Sequence, residues 1–381
     1  MTTSPSSLRA FFTEQIRFLR SSGFRVHTIS APEYHSGGQE RRVPMHSIPM
    51  LRKISPLSDL NALLRLCVLL RRIRPAVVHT HTPKAGLLGM IAASLTGVEV
   101  RIYTINGLVW ATQTGWHRLL LQSTEWFACF LATEVLTVSE SLRRFVIDNR
   151  ICPVNKVRIL GHGGSHGVDL RRFNPVEANS RGIALRTGLK IPENALVLLF
   201  VGRLVREKGI EELAGAWTRL RDEFPAAHLL LCGDAEERDP VKPEILADLN
   251  QCPRVHFSRG LPTEIQAYYA AGDICVLPTW REGLPNVALE AAAMKRPIVA
   301  TTVTGCVDAI QDGVTGLLVE PRNVEALTAA LRSLLGDPLL RHRMGESARS
   351  FVAERFSERD VCRRLAAEYR RLIGLDDPVL P

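Results

Sequence analysis

Between residues 195 and 320, the runs ALVLLFVG, AHLLLCGD, RVHFSRG, DICVLPT, PIVATT and GLLVE are largely apolar or β-branched, and segments of helical periodicity separate them. A strand that is apolar on both faces must be covered on both, and a parallel sheet flanked by helices does this. The first half repeats the pattern. FRVHTIS, AVVHTHT, VRIYTIN and EVLTVS alternate with NALLRLCVLLRRIRP, KAGLLGMIAASLTG and a long amphipathic segment around WHRLLLQSTEWFACFLA. Two doubly wound α/β domains follow, as suits a chain of 381 residues. The join is expected between about 168 and 190, where DLRRFNPVEANSRG is polar and turn-rich.

Hydrophobic content of 46% with 23% charged residues is that of a globular protein. The longest apolar runs, NALVLLFVG and LLGMIAASLTG, are about half the ~20 residues a spanning helix needs, and no secretory pattern opens the chain. A cytoplasmic location is expected. Eight cysteines without a CxxC pair indicate reduced thiols rather than a zinc site or disulfide framework. Charge is uneven: residues 1–170 carry 20 Lys+Arg against 10 Asp+Glu, net +10, and residues 171–381 carry 28 against 29, net −1. The basic half suits an anionic partner. With 6% aromatic residues and no nucleic-acid signature, that partner is expected to be a membrane surface and not nucleic acid.

Ligands of open α/β sheets bind beyond the carboxyl ends of the strands. Two such places carry charge. After ALVLLFVG, the loop RLVREKG puts Arg203 and Lys208 beside the start of the helix IEELAGAWTRL, where cations and backbone N–H groups converge on an anion. In TWREGLPNVALEAAAMKRP, Pro285 and Pro297 bracket an expected three-turn helix, Pro285 to Arg296. Glu290 lies within it on a stripe with Val287, Ala291 and Met294, so its carboxylate needs a partner, structural or ligand. Glu282 stands at the entrance. GHGGSHG has His166 where a dinucleotide fingerprint needs its third glycine, and no GxxxxGK loop or D-x-D pair is present. His79 and His81, two apart on one strand, suit a strand-end or acceptor-pocket role better than a metal site.

FVGRLVREKG, LLLCGD, VHFSRGLP, DICVLPTWREGLPNVALEAAAMKRPIVAT, TGCVDAI and DGVTGLLVEP together resemble the nucleotide-sugar domain of retaining GT-B glycosyltransferases of family 4, including its E-x7-E motif at Glu282 and Glu290. VVHTHTPKAGLLGMIAA, RIYTINGL and ILGHGGSHGVDLRRFNP are similar to a bacterial branch that builds capsule, O-antigen and exopolysaccharide on lipid-linked acceptors. The resemblance implies an α/β fold of GT-B type: two Rossmann-like, doubly wound domains facing each other across a cleft. Residues 1–170 would bind acceptor, 171–350 the nucleotide sugar, and a helix at 351–375 would cross back to the first domain.

The implied reaction moves a hexose or N-acetylhexosamine, with retention, from a UDP-sugar to an undecaprenyl-diphosphate-type saccharide. No cofactor or metal is required. Arg203 and Lys208 match the pair on the diphosphate, with Gly202 beside them. Glu282 matches the residue on the sugar hydroxyls and Glu290 the one on the ribose. Gly283, Leu284, Pro285 and Asn286 supply backbone around the donor, and Gly260 and Leu261 flank the base. For the acceptor, His81, Lys84 and Asn106 are the candidates, Asn106 standing where many relatives have histidine. The helix NALLRLCVLLRRIRP would rest on anionic lipid at the inner face of the cell membrane. Relatives also have a β-strand ahead of the segment matching TTSPSSLRAFF, where only Met1 precedes it here, so the first strand of the N-terminal sheet is expected to be missing. A UDP-N-acetylglucosamine 2-epimerase and a non-catalytic nucleotide-sugar-binding protein are the alternatives.

Overall fold

The computed structural model describes residues 1–3, 5–32, 43–51, 55–237, 239–260, 262 and 264–375, without the side chains of residues 5–7 and 9–11. The chain divides into two compact units, Met1–His166 with Glu358–Pro381, and Gly167–Ser357.

The first unit runs α1 (Pro5–Ser21), β1 (Thr28–Ser30), β2 (Met45–Ser47), α2 (Pro56–Ile73), β3 (Val77–Thr80), α3 (Pro83–Leu95), β4 (Val100–Ile105), α4 (Gly115–Leu131), β5 (Glu134–Thr137), α5 (Glu140–Asp148) and β6 (Val157–Ile159). Strands β3-β4-β5-β6 form one parallel sheet and β1-β2 a separate parallel pair. Between them lie Met1 and Thr2. The Met1 ammonium donates to the His79 carbonyl at 2.7 Å, the Met1 carbonyl accepts from His81 N at 3.1 Å, and Thr2 N donates to the Ile29 carbonyl at 3.1 Å. Two residues thus bond where a strand would lie.

Helix α3 seats closely on this sheet because its glycines allow it. A Cβ at Gly86 would come 2.4 Å from Tyr103 Cε2, and one at Gly89 2.6 Å from Thr80 Cγ2. The Tyr103 hydroxyl reaches Glu125 of α4 at 2.7 Å.

The second unit runs α6 (Pro175–Gly188), β7 (Leu196–Val201), α7 (Ile210–Leu220), β8 (Ala227–Cys232), α8 (Pro243–Gln251), β9 (Val255–Ser258), α9 (Ile265–Ala271), β10 (Ile274–Leu277), α10 (Asn286–Ala293), β11 (Ile298–Thr301), α11 (Cys306–Ala309), β12 (Gly316–Val319), α12 (Val324–Gly336) and α13 (Pro338–Arg355). Its sheet is parallel throughout, in the order β12-β11-β10-β7-β8-β9. Leu198, Phe200, Leu213, Trp217, Leu229, Leu231 and Val276 meet in its core. The chain then enters α14 (Glu358–Leu372), which belongs to the first unit, where Leu365 packs on Ile102 and Leu136.

Three local expectations differ from the structure. The polar segment around 168–190 contains α6, a helix of the second unit whose start was legible: Asn174 Oδ1 caps Val176 N at 3.1 Å and Pro175 fills the first turn. The helix expected from Pro285 to Arg296 spans Asn286–Ala293, because Lys295 turns left-handed at φ +57° and Arg296 N closes back on the Ala291 carbonyl at 2.9 Å. The segment 351–375 is not one helix: α13 ends at Arg355 and α14 starts at Glu358.

Helix α6 lies against α9 with little room. A Cβ at Gly182 would sit 2.7 Å from Ala270 Cβ. Gly182→Val should destabilise the second unit by roughly 1–3 kcal/mol, read as a lower urea midpoint of its unfolding, whereas Gly188→Ala, with open space around it, should not.

Candidate functional site

A parallel sheet ends all its strands at one edge, and the chain reverses its direction of winding where β7 lies between β10 and β8. At such a switch point the loops part and leave a crevice. The loop after β7 carries Arg203 and Lys208; the loop after β10 carries Arg281, Glu282 and Gly283. The structure brings these loops together. Lys208 Nζ donates to Glu282 Oε1, and a Cβ at Gly209, whose φ is +75°, would lie 2.0 Å from the Pro278 carbonyl oxygen.

Glu207 joins the two loops. Its carboxylate accepts from Arg281 Nη2 at 2.8 and 2.9 Å and from Arg281 Nε at 3.1 Å, and it also accepts from Arg203 Nη2 at 3.0 Å. Its carbonyl accepts from Trp280 N at 2.8 Å and from the Thr279 hydroxyl at 3.2 Å. Burial pushes the Glu207 carboxyl up, but Arg281, Arg203 and Lys208 outweigh it and hold the group below the usual carboxylate range. Arg203 completes its fork on Glu236 at 2.8 Å. Each of these three cations therefore faces a carboxylate.

Neighbouring strand ends close the site. Gly202 N donates to the Cys232 carbonyl at 2.9 Å, and Gly202, at φ +152°, lies so near Gly233 that a Cβ on the latter would be 1.9 Å from the Gly202 oxygen. Gly260, at φ +77°, donates its N–H to Asp234 Oδ1 at 2.8 Å. Leu261 lies outside the described residues. Beyond β11, the Thr304 hydroxyl donates to the Glu282 carbonyl at 2.8 Å, and a Cβ at Gly305 would be 2.2 Å from the Gly283 oxygen. Leu284 and Pro285 are buried and lead into α10, whose first turn begins at Asn286. The leading N–H groups of such a turn have no acceptor within the helix.

Glu290 stands one turn along α10 from Asn286, on the same side. Its partner in the structure is Tyr269 of α9, whose hydroxyl donates to Glu290 Oε2 at 2.7 Å. Burial pushes the Glu290 carboxyl up to about 7, with Tyr269 and Arg172 pulling the other way. Tyr269, Glu207, Arg281, Asp234 and Thr304 all escaped the sequence reading. Glu207 and Arg281 stand directly beside Lys208 and Glu282, which was their signal; Tyr269 had none.

In the first unit the candidates sit at the ends of β3 and β4. The His81 ring is 9% exposed, packed on Phe12 at 4.5 Å and on His79 at 4.1 Å between centroids. Burial, His79, the amino terminus and His166 lower its pKa well below the ordinary value. His79 bonds Tyr369 and Thr104, each at 2.6 Å, and burial pushes it down to about 3. Both histidines line a cavity of about 20 Å³, room for a single water. His81 is thus a closely packed residue that lines this small cavity. Lys84 Nζ is clasped by Asp59 at 2.8 and 2.9 Å, and Asn106 Nδ2 donates to the His81 carbonyl at 2.5 Å. Among the described residues no cluster of three or more His, Cys, Asp or Glu side chains could hold a metal ion.

Two doubly wound parallel units, with paired cations and acids at the switch point of the second, define the GT-B class of glycosyltransferases. Residues 195–337 match the family described as glycosyl transferases group 1, and residues 8–163 match a glycosyl transferase 4-like domain. The capsular polysaccharide biosynthesis glycosyltransferase CapM of Staphylococcus aureus is 32% identical over 363 residues, covering 94% of this chain and 93% of that protein. The Escherichia coli UDP-Gal:alpha-D-GlcNAc-diphosphoundecaprenol alpha-1,3-galactosyltransferase is 27% identical over 314 residues, covering 81% and 79%. Among solved structures, HepE of Anabaena in complex with UDP-glucose superposes with a TM-score of 0.77 at 19% identity, covering 94% of this chain and 96% of that one. The chain belongs to the group 1 glycosyltransferases. It is a transferase, and the epimerase and non-catalytic alternatives are set aside.

The latch at Glu207 makes a specific prediction. Glu207→Gln keeps the side-chain shape but weakens the fork to Arg281, so donor turnover should fall roughly 10-fold or more with little change in the thermal midpoint. Equal losses in both would identify a purely structural bond.

Proposed function

We propose that this protein transfers a hexose or N-acetylhexosamine from a UDP-sugar to a lipid-linked saccharide, with retention at the anomeric carbon, in the synthesis of a bacterial surface polysaccharide. The observation that carries the donor half is the Lys208–Glu282 contact across the switch point, next to Arg203 and the start of α10. In this reading the UDP phosphates displace Glu236 and Glu282 from Arg203 and Lys208. The freed Glu282 then turns to the sugar hydroxyls, and Glu290 accepts from the ribose. The bond from C1 to the phosphate oxygen breaks as the bond from C1 to the acceptor oxygen forms, and the acceptor proton passes to the departing phosphate oxygen. Charge grows on that oxygen, so fixed cations and helix N–H groups favour the transition state over the ground state. No protein base and no metal is assigned.

Support for the acceptor half is the substrate in the name of the E. coli relative, a diphosphoundecaprenol-linked sugar, together with the capsular role of CapM. HepE holding UDP-glucose supports the donor class. A lipid-linked acceptor would place the enzyme at the inner face of the membrane, and no helix among the described residues is long and apolar enough to cross it.

A panel of UDP-sugars followed by saturation-transfer NMR tests the donor, and the anomeric configuration of the product tests retention. Lys208→Ala should lower turnover by roughly 10²–10³ while the circular dichroism spectrum is unchanged; undiminished turnover would overturn the phosphate assignment. Glu290 adds a pH signature. As an ionised acceptor for ribose hydroxyls it should raise UDP affinity as pH rises through about 7, and Tyr269→Phe, which removes a bond favouring the ionised form, should move that inflection upward. The stability contribution has the opposite sign: a carboxyl raised from 4.5 to about 7 stabilises the fold below its unfolded value, and that share is lost as pH rises through about 7.

A further inference from the structure

Every strongly exposed Trp and Phe among the described residues lies on α4: Trp116 at 66%, Trp126 at 49%, Phe127 at 39% and Phe130 at 62%. Leu119 and Leu120 are exposed with them. Their spacing puts all six on one side of the helix, opposite the buried Glu125, Ala128 and Cys129. The rings are ordered among themselves, Phe130 stacking on Trp126 at 5.5 Å and on Phe127 at 6.4 Å. Helix α2 has the same construction. Leu57, Leu60, Leu64 and Val68 form an outward stripe ending in Arg71 and Arg72, while Ala62, Leu66 and Leu70 face inward. Helix α3 packs against both α2 and α4.

The exposed charged side chains on α2 and α4 themselves have one sign. On α2 the exposed charged residues are Arg65, Arg71 and Arg72, and the acid, Asp59, is clasped by Lys84. On α4 the acid, Glu125, is buried against Tyr103, leaving Arg118 and His117 outside. At its far end Arg101 and Lys156 hold the Leu131 and Phe130 carbonyls at 2.8 and 2.7 Å. An apolar face rimmed by cations is costly in water and suited to a lipid headgroup layer, where aromatic rings embed and guanidinium groups meet phosphates. A second copy would bring two rims of like charge together, in a stretch, residues 1–170, whose net charge is +10. Charge complementarity therefore selects the bilayer over self-association.

We propose that the outward face of α4, with the stripe of α2 beside α3, is the surface by which this protein rests on an anionic bilayer, α4 aromatics embedded and α2 arginines on the phosphates. The sequence pointed to α2 alone; the structure shifts the anchor to α4. This docking is independent of the donor chemistry, so either can fail without the other.

Vesicles of phosphatidylcholine, with and without phosphatidylglycerol, provide the test. The full chain should co-sediment with the anionic vesicles and much less with the neutral ones, and brominated acyl chains should quench its tryptophan fluorescence. The double variant Trp126→Ser, Phe130→Ser should lose roughly 10-fold or more of vesicle affinity while saturation-transfer NMR still reports UDP binding. Arg71→Gln with Arg72→Gln, away from the aromatic face, should lower affinity for anionic vesicles and reduce its salt dependence. Equal binding to both vesicle types, unquenched tryptophan, or a double variant that binds as the parent does would overturn the proposal. So would a dimer in sedimentation velocity that the double variant abolishes.

Discussion

All strands of a parallel sheet finish at one edge, and that constraint underlies the candidate site. It delivers Gly202, Arg203 and Lys208 from β7, Asp234 from β8, Gly260 from β9, Glu282 from β10 and Thr304 from β11 to the same rim without any of them being near in sequence. The switch between β7 and β10 opens the rim where the two charged loops meet. Everything chemical about the second unit follows from keeping those loops in register, and Glu207 is bonded to both through side chain and main chain alike.

The resting site is electrostatically satisfied. Arg203, Lys208 and Arg281 face Glu236, Glu282 and Glu207. Breaking one partner of such a pair leaves an uncompensated charge, whereas exchanging a carboxylate for a phosphate does not. Under the proposed function, the two phosphates of UDP would substitute for the acids as they swing to other groups.

Much of this was legible beforehand because it is written in local pattern. The runs ALVLLFVG, AHLLLCGD, DICVLPT and PIVATT became β7, β8, β10 and β11 because a strand buried on both faces has little else to be. Arg203 and Lys208 were visible as cations at a strand end. What stayed hidden was set by long-range proximity: the Tyr269 hydroxyl on Glu290, twenty-one residues away in sequence, and the Asp59 clasp on Lys84. The sequence reading passed over β2 and β6, three residues each and only partly buried. The burial of His81 depends on Phe12 folding back over it, which no spacing rule reports.

The glycine seats around the charged loops bear on how such a site can vary. Main chain meets main chain at Gly209 and Pro278, at Gly233 and Gly202, and at Gly305 and Gly283, with no space for a single methyl group. A side chain at any one of these positions forces its opposite number to move, so the loops are coupled through their main chains. Variation at this rim is therefore confined to the side chains that the loops carry, while the backbone outline that the glycine seats define stays fixed.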